Sequence, residues 1–230
     1  MTTPLALSSS AILQRDQFGI ERQTMVTVDN ALPDPDLVIE IASRHSFGRH
    51  GPFYPGLRAP VSAAVSMPLV EPLLGRLVQD FDLPRRPSYL ECYLSVVTHA
   101  PGDLTPIQRL PHFDGVEPER LAVLLYLDRR EEGGTAFYRQ RATGFESVDA
   151  NRLETYRQSL GSEVERVGLP GAEYIAGDTD LFERIHDARG RFNSMVVYRG
   201  NTLHCADLPA DFHPESDPRK GRLTLNLFLA

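Results

Sequence analysis

Residues 108–138 read "QRLPHFDGVEPERLAVLLYLDRREEGGTAFY", and the join between the two halves of this stretch decides the fold. The continuous apolar run "RLAVLLYLD", 120–128, predicts a strand buried on both faces. "REEGG" then predicts a hairpin turn into a second strand, "TAFYRQ". Just ahead of the run sit His112 and Asp114 in "HFD". At i and i+2 of an extended chain, both side chains leave the same face. A buried strand has little use for two such ionisable groups unless something binds them.

Outward from this stretch the pattern is mostly β. "SYLECYLSVVTHA" is β-rich, "APGDLTP" reads as a loop, and "IQRLPHFD" reads as a short strand ending in a turn. "FNSMVVYRGNTLHCAD" gives two short strands punctuated by Gly200-Asn201, and "GRLTLNLFLA" gives a closing strand. Residues 150–167 read as a polar helix and 178–190 as irregular or helical, so a helical insertion is expected at about 140–190. Upstream, 34–46 and 68–81 carry helical spacing, and "FYPGLRAP", 53–60, is a turn or loop dense in Pro and Gly. The expected architecture is α+β, mainly β with flanking helices. A helical N-terminal segment (1–87) packs on a β core (88–230) of sandwich or barrel type, within one domain.

The chain has 230 residues, 41% hydrophobic and 24% charged, enough for a sizeable core. A net charge of −7 without a basic stripe argues against nucleic acid. No apolar run approaches the ~20 residues needed to span a bilayer. The opening stretch does not read as a signal peptide. The two cysteines, Cys92 and Cys205, are not spaced as Cys-x-x-Cys. Two free thiols in a reducing, cytoplasmic setting are expected.

Of seven histidines, His45, His50, His99, His186 and His213 read as surface or strand-end residues. His112 and His204 differ in their company. His204 follows a strand and a Gly-Asn turn, and with the "HFD" pair it completes two imidazoles and one carboxylate on adjacent strands. That facial set leaves open positions on an Fe(II) ion. Arg222 opens an otherwise apolar final strand, where a guanidinium needs an anionic partner and matches a carboxylate in bidentate fashion. That partner is either a protein carboxylate or a bound cosubstrate. Thr224 shares a face with Arg222, and Tyr126, inside the buried run, carries a hydroxyl that needs a partner.

The order of these segments resembles the Fe(II)/2-oxoglutarate-dependent oxygenases, specifically a bacterial branch of the prolyl 4-hydroxylase-like group, over residues 88–230. "HFD", "LLYLDRREEGGTAFY", "MVVYRGNTLHCAD" and "GRLTLNLFL" look like its successive motifs. The resemblance implies a double-stranded β-helix (jelly-roll) core. It implies His112, Asp114 and His204 as iron ligands, with Arg222 on the distal carboxylate of 2-oxoglutarate, assisted by Tyr126 and Thr224. The implied reaction hydroxylates a small molecule or amino-acid-like substrate and releases succinate and CO2. Asp114 favours hydroxylation or desaturation over chlorination, because halogenating relatives lack the carboxylate.

Two departures stand out. The segment 205–221 is longer than usual, which makes Arg219 or Lys220 the alternative carboxylate binder, and the N-terminal third has no counterpart. For the substrate, Arg139 and Arg141 are candidates at the pocket mouth for an anionic molecule, with Gln108 and Arg109 at the rim. A homodimer is compatible with these features. The competing readings are a cupin-like metalloprotein, acting as an isomerase or cosubstrate-free dioxygenase, and a catalytically silent binding module.

Overall fold

The apolar run folds at the centre of a seven-stranded antiparallel sheet. A computed structural model describes residues 4–230. In chain order the strands are β1 (Ile12–Phe18), β2 (Gln23–Asp29), β3 (Gly56–Pro60), β4 (Tyr89–Val97), β5 (Leu121–Tyr126), β6 (Gly134–Gln140), β7 (Phe182–Arg189), β8 (Met195–Arg199), β9 (His204–Asp207) and β10 (Leu223–Leu229). The larger sheet runs β1-β2-β8-β5-β10-β4-β3, and a smaller one runs β7-β6-β9. Together they form the mainly β, two-sheet jelly-roll that the motif order implied.

Each face of the larger sheet has its own business. Leu94, Val96, Leu121, Val123, Leu125, Val197, Leu223, Leu225 and Leu227 point to one side. There they pack under the helices α1 (Pro35–Ala42), α2 (Ala63–Val70) and α3 (Leu74–Asp80). The alternate residues face the smaller sheet, where Tyr126, Phe137, Tyr198 and Phe228 meet in the inter-sheet core. Burial on both faces explains why β5 reads as an unbroken apolar run and why β10 is apolar apart from Thr224 and Asn226. α1 starts where its signals placed it, with Asp34 accepting from the Leu37 N–H at 3.0 Å and Pro35 in the first turn. Pro72 falls in a short 3-10 turn between α2 and α3, so 68–81 is two helices rather than one.

Several expectations are corrected. The segment 1–87 is not simply helical: β1, β2 and β3 lie in it and form both edges of the larger sheet. "FYPGLRAP" is not all loop, because β3 occupies Gly56–Pro60 as an edge strand, the one place in a sheet where Pro is tolerated. "REEGG" does not close a hydrogen-bonded hairpin. β5 and β6 belong to different sheets, and the segment carries the chain across between them. A side chain at Gly134 would collide with the Ala188 carbonyl, 2.2 Å from its Cβ, which is why this crossing needs glycine. Residues 106–109 form a 3-10 turn rather than a strand. The insertion holds helix α4 (Leu153–Val167), but 182–189 is strand β7.

Candidate metal centre

The backbone brings the three expected ligands together by local pairing. The residues around His112 run antiparallel to β9, and His112 and His204 exchange reciprocal N–H···O=C bonds of 2.8 Å. Their rings lie 4.4 Å apart, centroid to centroid. Asp114 is clamped at both ends of its peptide: its N–H donates to the Gly200 carbonyl at 2.7 Å, and its own carbonyl accepts from Arg120 Nη1 at 2.7 Å.

The resulting cluster is tight. Asp114 Oδ1 is 3.8 Å from His112 Nε2, and Asp114 Oδ2 is 3.5 Å from His204 Nε2. One donor atom from each residue lies within 4.8 Å of the others. His204 Nδ1 is 2.9 Å from the Thr202 carbonyl. A carbonyl only accepts, so the proton sits on Nδ1 and the Nε2 lone pair is left for a ligand.

Burial pushes the Asp114 carboxyl up and holds the His112 imidazole well below its usual range. His112 is half exposed and lines a cavity. Asp114 Oδ2 is buried without a hydrogen-bond partner, an uncompensated demand for positive charge. The group fits a divalent ion: two imidazoles and a carboxylate at mutual ligand distance, on one side of an open cavity.

That cavity encloses about 630 Å³ between the sheets, within the usual range for a small-molecule site. Its floor is the inner face of the larger sheet, including Leu124, Thr224, Asn226 and Phe228. Arg222 enters from the start of β10 and is 4% exposed. Its Nη2 donates to the Gly134 carbonyl at 2.7 Å, and no carboxylate among the described residues pairs with it. Tyr54 lies close to it, with the Tyr54 hydroxyl near those of Ser95 and Thr224. The Tyr54 and Ser95 hydroxyls are buried and make no well-formed hydrogen bond. Tyr198 Oη and Asn226 Oδ1 in the same wall are also unpartnered. A dry apolar cavity would not collect such atoms, since each costs about 1–3 kcal/mol left unpaired. Tyr126 stands just behind the wall. Its hydroxyl shares a 2.7 Å hydrogen bond with Thr135 Oγ1, and burial pushes it up to about 12. Thr135 itself faces the cavity.

The other expected residues separate cleanly. Gln108 lines the rim, with its side chain accepting from the Thr105 N–H. Arg109 turns back onto the Leu104 carbonyl. Arg139 is tied to Glu146 and Glu183, and Arg141 to Asp178 and the Thr179 carbonyl. None of these three arginines lines the cavity. Arg219 pairs with Glu40 at 2.8 Å, and neither it nor Lys220 reaches the cavity. His186, read as solvated, stacks on Phe18 with centroids 4.6 Å apart.

Sequence reasoning missed four residues: Tyr54 and Arg58, in the stretch taken for a loop, Thr135 and Arg120. Alternation from Phe137 was the available signal for Thr135. No comparable signal marked the rest.

A family model described as a family of unknown function, DUF6445, matches residues 9–229. No curated protein matches the chain. Among solved structures, the chain is similar to HygX from Streptomyces hygroscopicus with nickel and 2-oxoglutarate bound. The two are 13% identical, over 91% of this chain and 84% of that one, with a TM-score of 0.49. It is also similar to a Pseudomonas putida prolyl-4-hydroxylase (13%, 91% and 94%, 0.44). A third is an N-substituted L-amino acid dioxygenase from Burkholderia ambifaria AMMD (12%, 95% and 94%, 0.46).

Proposed function

The chain belongs to the DUF6445 family, and from its metal centre and cavity we propose that it is an Fe(II)- and 2-oxoglutarate-dependent oxygenase hydroxylating a small molecule. One observation carries this reading. Three metal-type donors and a buried guanidinium without a carboxylate open onto the same enclosed space. A site for a metal alone has no need of Arg222.

His112, Asp114 and His204 would hold the ion from one side and leave the cavity side free. Arg222 would take the distal carboxylate of 2-oxoglutarate, with the hydroxyls of Thr224 and Tyr54 completing its hydrogen bonds. When bound, Fe(II), 2-oxoglutarate and dioxygen supply the oxidising power to replace a substrate C–H by C–OH, with succinate and CO2 released. Thr135, backed by Tyr126, fixes the polar end of the cavity, while Leu124 and Phe228 keep water from the rest. The buried, free thiols of Cys92 and Cys205 suit the reducing compartment expected for such an enzyme.

Anaerobic reconstitution followed by metal analysis tests this. Wild type should retain one Fe(II) per chain, and Asp114→Ala and His204→Ala should retain none. Arg222→Gln should keep the metal but bind 2-oxoglutarate roughly 30-fold more weakly or worse, the consequence of losing one charged partner. Iron retained equally by all variants would defeat the proposal.

A further inference from the structure

The cavity wall holds a second guanidinium without a carboxylate. Arg58, on β3, stands in the cross-strand row Arg58–Ser95–Thr224–Tyr126, which runs in register through β3, β4, β10 and β5. Its guanidinium carbon lies 4.2 Å from the Tyr54 ring centroid and 5.1 Å from that of Tyr93. Stacking of this kind holds the plane of the group while leaving its edge free to donate. Arg58 Nε is buried without a hydrogen-bond partner, and no carboxylate lies within ion-pair distance among the described residues. The nearby Glu91 instead accepts from the Tyr93 hydroxyl at 2.9 Å.

Arg58 and Arg222 line the same cavity as His112, Asp114 and His204. Arg58 enters from β3 against the Tyr54 and Tyr93 rings, whereas Arg222 enters from the start of β10 against the Gly134 carbonyl. A flat, pre-oriented guanidinium in the wall of the cavity that holds the candidate metal ligands is built for a planar oxyanion, which it meets with two parallel N–H···O bonds. Glu91 in the same wall repels a phosphate dianion more than a monoanion.

We propose that the substrate is a small carboxylate-bearing molecule and that Arg58 binds its carboxylate, orienting the rest of it toward the metal centre. The proposal rests on the oxygenase reading for the word substrate, and it moves anion recognition from Arg139 and Arg141 to Arg58.

The test uses N-acetylglycine as a carboxylate probe, N-acetylglycinamide as its uncharged counterpart, and inorganic phosphate. Each is titrated into Zn(II)-loaded protein, with and without saturating 2-oxoglutarate, while the Arg58 Nε–H signal is followed by NMR. The signal is identified by its loss in Arg58→Lys. With 2-oxoglutarate present, N-acetylglycine should move the signal, and the amide and phosphate should not. Binding should weaken about tenfold in Arg58→Lys, which keeps the charge and the fold, and vanish in Arg58→Gln. The affinity for 2-oxoglutarate should stay within about twofold of wild type in both variants.

The idea is overturned if N-acetylglycine leaves the signal unmoved, binds Arg58→Gln equally well, or is outcompeted by phosphate. It is equally overturned if Arg58→Gln loses 2-oxoglutarate, which would assign Arg58 to the cosubstrate. Failure of wild type to bind 2-oxoglutarate, with the Arg58 signal still responding to N-acetylglycine, would sink the oxygenase reading and leave the carboxylate site standing.

Discussion

The Nδ1–H of His204 is committed to the Thr202 carbonyl, and the Asp114 peptide is committed at both ends. These are the contacts that turn an exposed HxD and a distant histidine into a pre-formed ligand set. Arg120→Leu should therefore weaken Fe(II) binding by roughly tenfold, as loss of an orienting partner usually does, with little change in melting temperature. A metal titration of the two proteins checks this. At the far end of the cavity, Thr135→Val leaves the buried Tyr126 hydroxyl without its partner. Urea denaturation should show a loss of about 1–3 kcal/mol.

At this scale the candidate site was legible wherever chemistry is compressed into a few letters. "HFD" places two ligands on one side of an extended segment that pairs with β9 only at His112, and Arg222 is conspicuous before an apolar strand. Arg58 and Tyr54 were not legible. Their roles depend on β3 lying beside β4 in register with Ser95, and nothing local in "FYPGLRAP" specifies that neighbour.

The least legible elements lie at the sheet edges. β1 is exposed along most of its length and β7 is only half-buried, so neither shows the strongly apolar composition that marked β5, β8 and β10. What holds β1 and β2 is a tertiary device. The fully buried Glu146 accepts from the Ile20 and Glu21 N–H groups at 2.9 and 3.0 Å and from Arg139 Nε at 2.9 Å. It thereby fastens the β1–β2 turn to the segment after β6. Glu146→Ala strands two backbone donors and a largely buried guanidinium. It should cost about 2–4 kcal/mol and speed hydrogen exchange in residues 12–29 well before the rest of the sheet. Unchanged exchange in that hairpin would show that Glu146 is not its anchor.

For the molecule as a whole, the larger sheet separates two interiors: an apolar core under the helices on one face, and on the other the space between the sheets that holds the candidate metal ligands. The fold class was legible because β5, a continuous apolar run, and the β-rich β4, β8 and β10 make up the middle of the larger sheet. Cys92 lies in the helix-covered core and Cys205 in the cavity wall, and burial raises each thiol to about 12. Neither should react with Ellman's reagent at pH 8 in the native protein, and both should react in guanidinium. Native labelling of Cys92 would mean that the helix-covered core opens far more readily than this packing implies.

The most direct test of the central claim is optical. Fe(II) and then 2-oxoglutarate are added anaerobically to the metal-free protein, and the visible charge-transfer band of an iron-chelated 2-oxo acid is followed by titration. The account predicts a saturable band in wild type, a titration shifted to markedly higher 2-oxoglutarate in Arg222→Gln, and no band in His204→Ala. Iron bound by wild type without any band would contradict it, and would make the site a cupin-like metal centre whose buried arginine serves some other anion.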